Sequence, residues 1–144
     1  LMSNMDLLKQ IENITNSFTI DNIEDFDGHL IVDDISGNRT ILSKMLSILK
    51  INSDEAANGL EAIKMVAKKK YKMIWMDIKM PIMNGIQSTK YIREDLHFEG
   101  PIYATTAYTD AVTQEDCFSA GIDKIIAKPI GLKLIKDIST EIKE

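Results

Sequence analysis

Asp77 closes the apolar run Met73-Ile74-Trp75-Met76 and opens a turn that continues Ile78-Lys79-Met80-Pro81-Ile82-Met83-Asn84-Gly85. A carboxylate at the carboxyl end of a buried strand is costly unless a partner holds it there. A second acidic strand end, Leu30-Ile31-Val32-Asp33-Asp34, occurs in the same chain. If the two strands are neighbours, three carboxylates meet at one sheet edge and repel one another unless they bind a cation or take up a proton. An aspartate so placed can act as a nucleophile toward phosphorus, giving an aspartyl-phosphate. That chemistry needs a divalent cation on oxygen ligands, a fixed positive charge facing the phosphoryl group, and hydrogen-bond donors around it. Asp33-Asp34 can supply the cation site, and Mg2+ suits it because that ion keeps several waters and takes few carboxylates. Lys128 can supply the ammonium as a point charge, and the Thr106 hydroxyl with a nearby backbone N–H can be the donors. Pro129 shapes the backbone just after Lys128, and an X-Pro bond has a raised chance of being cis.

These residues need a scaffold, and from residue 29 onward strand-like and helix-like patterns alternate. Short apolar or β-prone stretches predict strands at 30–32, 53–57, 71–76, 101–105 and 122–127. Apolar stripes predict helices at 39–50, 60–69, 86–96, 111–120 and 132–142, with turn signals at Asn58-Gly59 and Gly100-Pro101 and a helix stop at Gly121. Strands separated by helices run parallel. The expected fold is therefore α/β, a three-layer sandwich around a five-stranded parallel sheet. Such sheets bind ligands outside the carboxyl ends of their strands. Asp33, Asp34, Asp77, Thr105, Thr106 and Lys128 all fall there.

Residues 1–27 stand apart from 28–144. Leu7, Ile11, Ile14 and Phe18 are spaced as one face of an amphipathic helix, and the acid-rich stretch 21–28 reads as a linker. The helix either packs on the domain's own surface, continues from an upstream domain, or forms a homodimer contact. Lys68-Lys69-Lys70 reads as a solvated helix end that also suits the helix dipole.

With 144 residues, 44% of them hydrophobic and 27% charged, the chain fits one globular domain with some length to spare. No apolar stretch reaches the ~20 residues of a membrane span, and the acidic first 27 residues do not resemble a secretory leader. One cysteine, Cys117, allows no internal disulfide, which points to a reducing, cytoplasmic setting. A net charge of −5 disfavours nucleic-acid binding. The chain opens on Leu1 rather than methionine, as a piece of a longer protein would.

Four stretches, Val32-Asp33-Asp34, Met76-Asp77 through Gly85, Thr105-Thr106-Ala107 and Ala127-Lys128-Pro129-Ile130, resemble the receiver domains of two-component response regulators. They occur in the right order over roughly 28–144. The resemblance implies a flavodoxin-like fold with strand order 2-1-3-4-5. It makes Asp77 the phosphoacceptor, Asp34 and Asp77 side-chain Mg2+ ligands with Asp33 placing a metal-bound water, and the Lys79 backbone carbonyl a further ligand. Lys128, the Thr106 hydroxyl and the Ala107 N–H would then hold the phosphoryl group, which comes from a histidine kinase or a histidine phosphotransfer domain. Such a domain transfers a phosphoryl group to itself and later removes it rather than turning over substrates. Its signal would be read on the face formed by the fourth helix, fifth strand and fifth helix of the repeat. Asn38-Arg39 fits the receivers of hybrid histidine kinases.

Departures from the pattern are Ile35, where those receivers often carry Asn, and Ile125, where many carry the aromatic residue that rotates inward on activation. Lys79 and Tyr108 occupy positions that influence phosphoryl lifetime in this family. Taken singly, Asp33 and Asp34 read equally as helix caps, Lys128 as a surface lysine and Thr106 as a turn hydroxyl. Two rival functions follow. One is a degenerate receiver serving only as a binding module, against which the complete residue set argues. The other is a Mg2+-dependent phosphohydrolase, which would want a general acid–base two residues past the nucleophile, where Lys79 stands.

Overall fold

The computed structural model describes residues 3–107 and 114–143. Its centre is a parallel sheet of β1 (Gly28–Val32), β2 (Asn52–Ala56), β3 (Met73–Asp77), β4 (Ile102–Thr106) and β5 (Lys124–Ala127), in the spatial order β2-β1-β3-β4-β5. This is the flavodoxin-like order, 2-1-3-4-5. Around it lie α1 (Asn4–Ser17), α2 (Ser36–Ile48), α3 (Gly59–Val66), α4 (Gly85–Glu94), α5 (Gln114–Ala120) and α6 (Leu132–Lys143). Tyr108 and the first three residues of the helix expected at 111–120 lie outside the described residues.

Strand side chains alternate between faces, and that alternation sorts the core into two layers. Leu30, Val32, Ile74, Met76, Ile102 and Ala104 join Ile63, Val66, Ile92 and Cys117 on the side of α3, α4 and α5. Ile31, Met73, Trp75, Tyr103 and Ile126 join Leu42, Leu46, Ile135 and Ile138 on the side of α2 and α6. Strands β1 and β3 are buried along their whole length. A sheet covered on both faces makes its central strands read as unbroken apolar runs, as residues 30–32 and 73–76 do.

Helix starts follow local chemistry. Asn84 Oδ1 accepts from the Gln87 N–H at 2.8 Å while Gln87 Oε1 accepts from the Asn84 N–H at 3.1 Å, a complete capping box for α4. Asn58 caps α3 through the Glu61 N–H at 2.8 Å, and Ser3 caps α1 through the Asp6 N–H at 3.1 Å.

The lysine run departs from expectation. Helix α3 stops at Val66, and Lys69–Lys70 pairs in parallel with Glu24–Asp25, within the stretch read as a linker. The cause is a small cluster at the edge of the domain. Phe26 meets Tyr71 edge-on at 5.4 Å, the Lys69 ammonium lies 4.7 Å over the Phe26 ring, and Lys69 and Tyr71 both donate to Asp54 Oδ2, at 3.0 and 2.7 Å. Burial and the bond to Asp54 push the Tyr71 phenol well above its ordinary range. Helix α1 packs on α3. Its Ile11 is 4% exposed within the core, with Leu7, Ile14 and Phe18 partly buried beside it.

Candidate functional site

Sheet register brings the acidic strand ends together. Val32 pairs with Met76, so Asp33 and Asp77 emerge side by side where β1 and β3 end. Asp77 pairs with Thr105 on the other side, which puts Thr106 and Ala107 just beyond the same edge. Thr106 pairs with Ala127, and Lys128 follows, its N–H donating to the Thr106 carbonyl at 2.9 Å. The Lys128–Pro129 peptide is cis.

Lys128 Nζ lies 3.0 Å from Asp33 Oδ2 and 3.1 Å from Asp77 Oδ1. Asp33 and Asp77 are each 5% exposed, whereas Asp34 is exposed. Carboxylate oxygens of Asp33, Asp34 and Asp77 all lie within 4.8 Å of one another, close enough to hold one metal ion. Burial and the neighbouring Asp33 charge push Asp77 up to about 6, and the Lys128 ammonium only partly offsets them. Burial pulls Lys128 the other way, but its bonds to Asp33 and Asp77 outweigh this and raise it above an ordinary lysine. The pocket thus holds more negative charge than one lysine neutralises. Its donors are hard oxygens, which suits a small divalent cation such as Mg2+.

Asp33 is fixed from several directions. Its Oδ1 accepts from the Ile35 N–H at 2.9 Å, and its Oδ2 from Asn38 Nδ2 at 3.3 Å as well as from Lys128. Its carbonyl accepts from Arg39 Nη1 at 2.7 Å, while Arg39 Nε pairs with Glu55 at 3.2 Å. Asp33 therefore organises the turn into α2, whose N-cap residue Ile35 makes no side-chain cap bond among the described residues. Sequence reasoning missed this role of Asn38. Its place in the first turn of the helix after the acidic pair was the available signal.

Between Asp77 and α4 the chain forms a tight loop. The Gly85 N–H donates to the Ile78 carbonyl at 2.8 Å, and a Cβ at Gly85 would collide with the Asp77 carbonyl, so the loop closes only on glycine. Lys79 is exposed on this loop, Met83 is buried and Met80 partly so. The Thr106 hydroxyl is partly exposed and donates to the Ala107 carbonyl at 3.1 Å. Ile125 packs against the core as a partly buried residue. Beside the acidic pocket, a cavity of about 330 Å³ runs between Ile41, Met45, Trp75 and Ile130 and opens next to Asp33 and Lys128. Ile35 and Ile41 at its side of the molecule, and Ile82 on the loop after Asp77, are more than half exposed.

The sequence profile of the response regulator receiver domain matches residues 30–139. The chain is 34% identical to the osmosensing histidine protein kinase SLN1 of Saccharomyces cerevisiae over 93% of its own length but only 12% of that protein's. That similarity therefore reaches well into the segment before residue 30. Two-component response regulator 24 of Arabidopsis thaliana is 36% identical over 76% of this chain and 78% of its own. Among solved structures, the receiver domain of the sensor histidine kinase PA1611 from Pseudomonas aeruginosa, with a magnesium ion coordinated in its active-site cleft, superposes with a TM-score of 0.72 and 28% identity. That match covers 85% of this chain and 99% of the other.

Proposed function

The chain belongs to the response regulator receiver domains of two-component phosphorelays, and from that premise we propose that Asp77 accepts a phosphoryl group from a phosphohistidine. The observation that carries this reading is Lys128, whose ammonium bridges Asp77 Oδ1 and Asp33 Oδ2 at 3.1 and 3.0 Å inside a cluster of three carboxylates. Asp33, Asp34, Asp77 and the Lys79 carbonyl would hold Mg2+, which supplies positive charge opposite the phosphoryl oxygens. The Asp77 carboxylate attacks phosphorus as the P–N bond of the donor breaks, and the bond's electron pair returns to the imidazole nitrogen. Lys128 then exchanges its contact with Asp77 for a phosphoryl oxygen. The Thr106 hydroxyl turns from the Ala107 carbonyl toward the new charge, and the Ala107 N–H becomes a second donor.

The donor is a histidine kinase or histidine phosphotransfer domain in the cytoplasm. The exposed Ile35 and Ile41, which follow the Asp33–Asp34 pair, and Ile82 on the loop after Asp77 give such a partner apolar surface to pack on while its imidazole reaches Asp77. Contact of Asn38 and Arg39 with Asp33 supports a receiver of the hybrid-kinase kind. No described helix is long and apolar enough to cross a membrane.

Intact-mass measurement after incubation with acetyl phosphate or a phosphorylated donor protein and Mg2+ tests this. One added phosphoryl group in the wild type, absent in Asp77→Asn, is the expected result. A wild type that gains no mass overturns the reading, and sustained turnover of phosphate esters would mark a hydrolase instead.

A further inference from the structure

Helix α3 meets the Asp77 loop at one end and the N-terminal segment at the other. At its start, the Gly59 N–H donates to the Met83 carbonyl at 3.3 Å, and the Gly59 carbonyl accepts from Ser88 Oγ at 2.8 Å. A Cβ on Gly59 would come within 2.7 Å of the Met83 carbonyl and 2.9 Å of Ser88 Cβ, so glycine is what permits this approach. Met83 belongs to the loop that leaves Asp77. Just before it, Ile82 sits at φ +73°, with the Met83 N–H donating to the Pro81 carbonyl at 2.8 Å. A β-branched residue at positive φ persists only where its surroundings hold it. The loop is thus a strained element pinned by Gly85 on one side and Gly59 on the other.

At its far end α3 is gripped twice. Ile11 of α1 is buried in the cluster that contains Ile63 and Val66. Immediately after α3, Lys69–Lys70 is fastened to Glu24–Asp25. The N-terminal segment therefore holds both the side and the exit of the helix whose entrance touches the Asp77 loop.

We infer that residues 3–27 form a coupling strap, such that seating α1 on α3 and occupying the Asp33–Asp34–Asp77 pocket with a divalent cation strengthen each other. The route runs from Asp77 through the Met83 loop and Gly59 into α3. Linkage makes the effect reciprocal: whatever the seated strap adds to cation affinity, the cation adds to strap seating. The inference rests on the reading that the pocket takes Mg2+, and Mg2+ alone is the probe, so phosphotransfer does not enter the test.

Two measurements on the whole chain decide it. One is hydrogen exchange of the α1 amides with and without Mg2+. The other is a Mg2+ titration followed by fluorescence of Trp75, the sole tryptophan, two residues before Asp77. Mg2+ is expected to slow α1 exchange at least threefold in the wild type. Ser88→Ala, which loosens the α3 entrance, is expected to abolish that slowing. Ile11→Asp, which unseats α1, is expected to weaken Mg2+ binding at least threefold. If Ile11→Asp does not fold, exchange in the wild type and in Ser88→Ala decides. Mg2+ binding with α1 exchange unchanged overturns the strap alone, whereas a wild type that binds no Mg2+ overturns the pocket reading and the strap with it.

Discussion

Lys128 Nζ stands 3.1 Å from Asp77 Oδ1, reaching across the end of β4 from the loop after β5 to the end of β3. The same ammonium is 3.0 Å from Asp33 at the end of β1, so one lysine joins strand ends spread over most of the sheet. Without it, two buried carboxylates face each other uncompensated. Removing one partner of a buried ion pair costs roughly 3–5 kcal/mol, and partial exposure of Lys128 reduces this. Lys128→Met is therefore expected to lose about 2 kcal/mol of stability without metal and to regain part of it in Mg2+. Urea unfolding at pH 7 with and without Mg2+ reads both quantities, and equal stability of variant and wild type would contradict the bridge.

Asp77→Asn is expected to stabilise the metal-free domain. Burial, with Asp33 nearby, raises Asp77 from 3.8 to about 6. The folded state therefore binds this proton more tightly than the unfolded chain, and stability is lost as pH rises from about 4 through 6. At pH 7 the ionised group carries the whole penalty, at most about 3 kcal/mol on the scale of ~1.4 kcal/mol per unit. Asparagine avoids most of it and keeps an oxygen that can accept from Lys128, for an expected gain of about 1–2 kcal/mol at pH 7 and little at pH 4. Melting temperatures at the two pH values test the crossover, and a destabilised variant at pH 7 would count against it.

The convergence of Asp33, Asp77 and Lys128 at one edge was legible because each follows a short apolar run, so the strand pattern itself aimed them there. Strand β2 was faint for a physical reason: Asn52-Ser53-Asp54-Glu55 lies at the sheet edge, where polar side chains reach solvent or one another. The pairing of Glu24–Asp25 with Lys69–Lys70 left no signal, because a two-residue ribbon depends on the distant packing of Phe26 on Tyr71 rather than on local preference. Arg93 went unnoticed since most of its partners are backbone carbonyls, which any residue supplies.

His29 pulls stability in the opposite direction to Asp77 over an overlapping pH range. It is buried near the amino end of β1 and accepts a hydrogen bond at Nδ1 from Trp75 Nε1 at 3.1 Å. Burial lowers it from 6.5 to about 4, against the opposing pull of Asp27. Below pH 6.5 the unfolded chain takes up a proton that the folded chain refuses until about pH 4. The stability contribution is complete above 6.5 and is lost as pH falls through this window, by up to about 1.4 kcal/mol per pH unit. His29→Gln keeps an acceptor for Trp75 and does not titrate, so its unfolding free energy is expected to fall less between pH 6.5 and 4.5. Parallel curves for variant and wild type would refute the assignment.

Arg93 ties α4 to the chain segments that open β4 and β5. Its Nη1 donates to the carbonyls of Phe98 and Gly100 at 2.8 and 2.7 Å, and Nε and Nη2 donate to the Gly121 carbonyl at 3.0 and 2.9 Å. Nη2 also meets Asp123 at 3.0 Å. A lysine keeps the charge but not this fork. Arg93→Lys is expected to cost about 2–3 kcal/mol, from several carbonyls left without charged donors. Mg2+ affinity should stay unchanged, because the clamp sits at the opposite end of the strands from the acidic pocket. A chemical denaturation midpoint within error of the wild type would show that water replaces the donors without loss.

Lys79 is expected to set how long the phosphorylated state lasts. It is exposed, two residues past Asp77 on the loop whose backbone is pinned at Gly85. Phosphorylation adds nearly two negative charges beside it. An exposed ammonium stabilises such a group by about 0.5–1 kcal/mol, which corresponds to roughly a two- to fivefold change in rate. Lys79 faces the phosphoryl oxygens where they lie on Asp77 and loses part of that interaction as phosphorus moves off the carboxylate, so the ground state gains more from it than the transition state does. Lys79→Asn should therefore shorten the phosphoryl lifetime by about two- to fivefold, Lys79→Glu should shorten it further, and both differences should shrink as salt rises. Loss of radiolabelled phosphate from purified protein at two salt concentrations measures this. A dephosphorylation rate indifferent to the residue at 79 would leave the ammonium no part in the chemistry of Asp77.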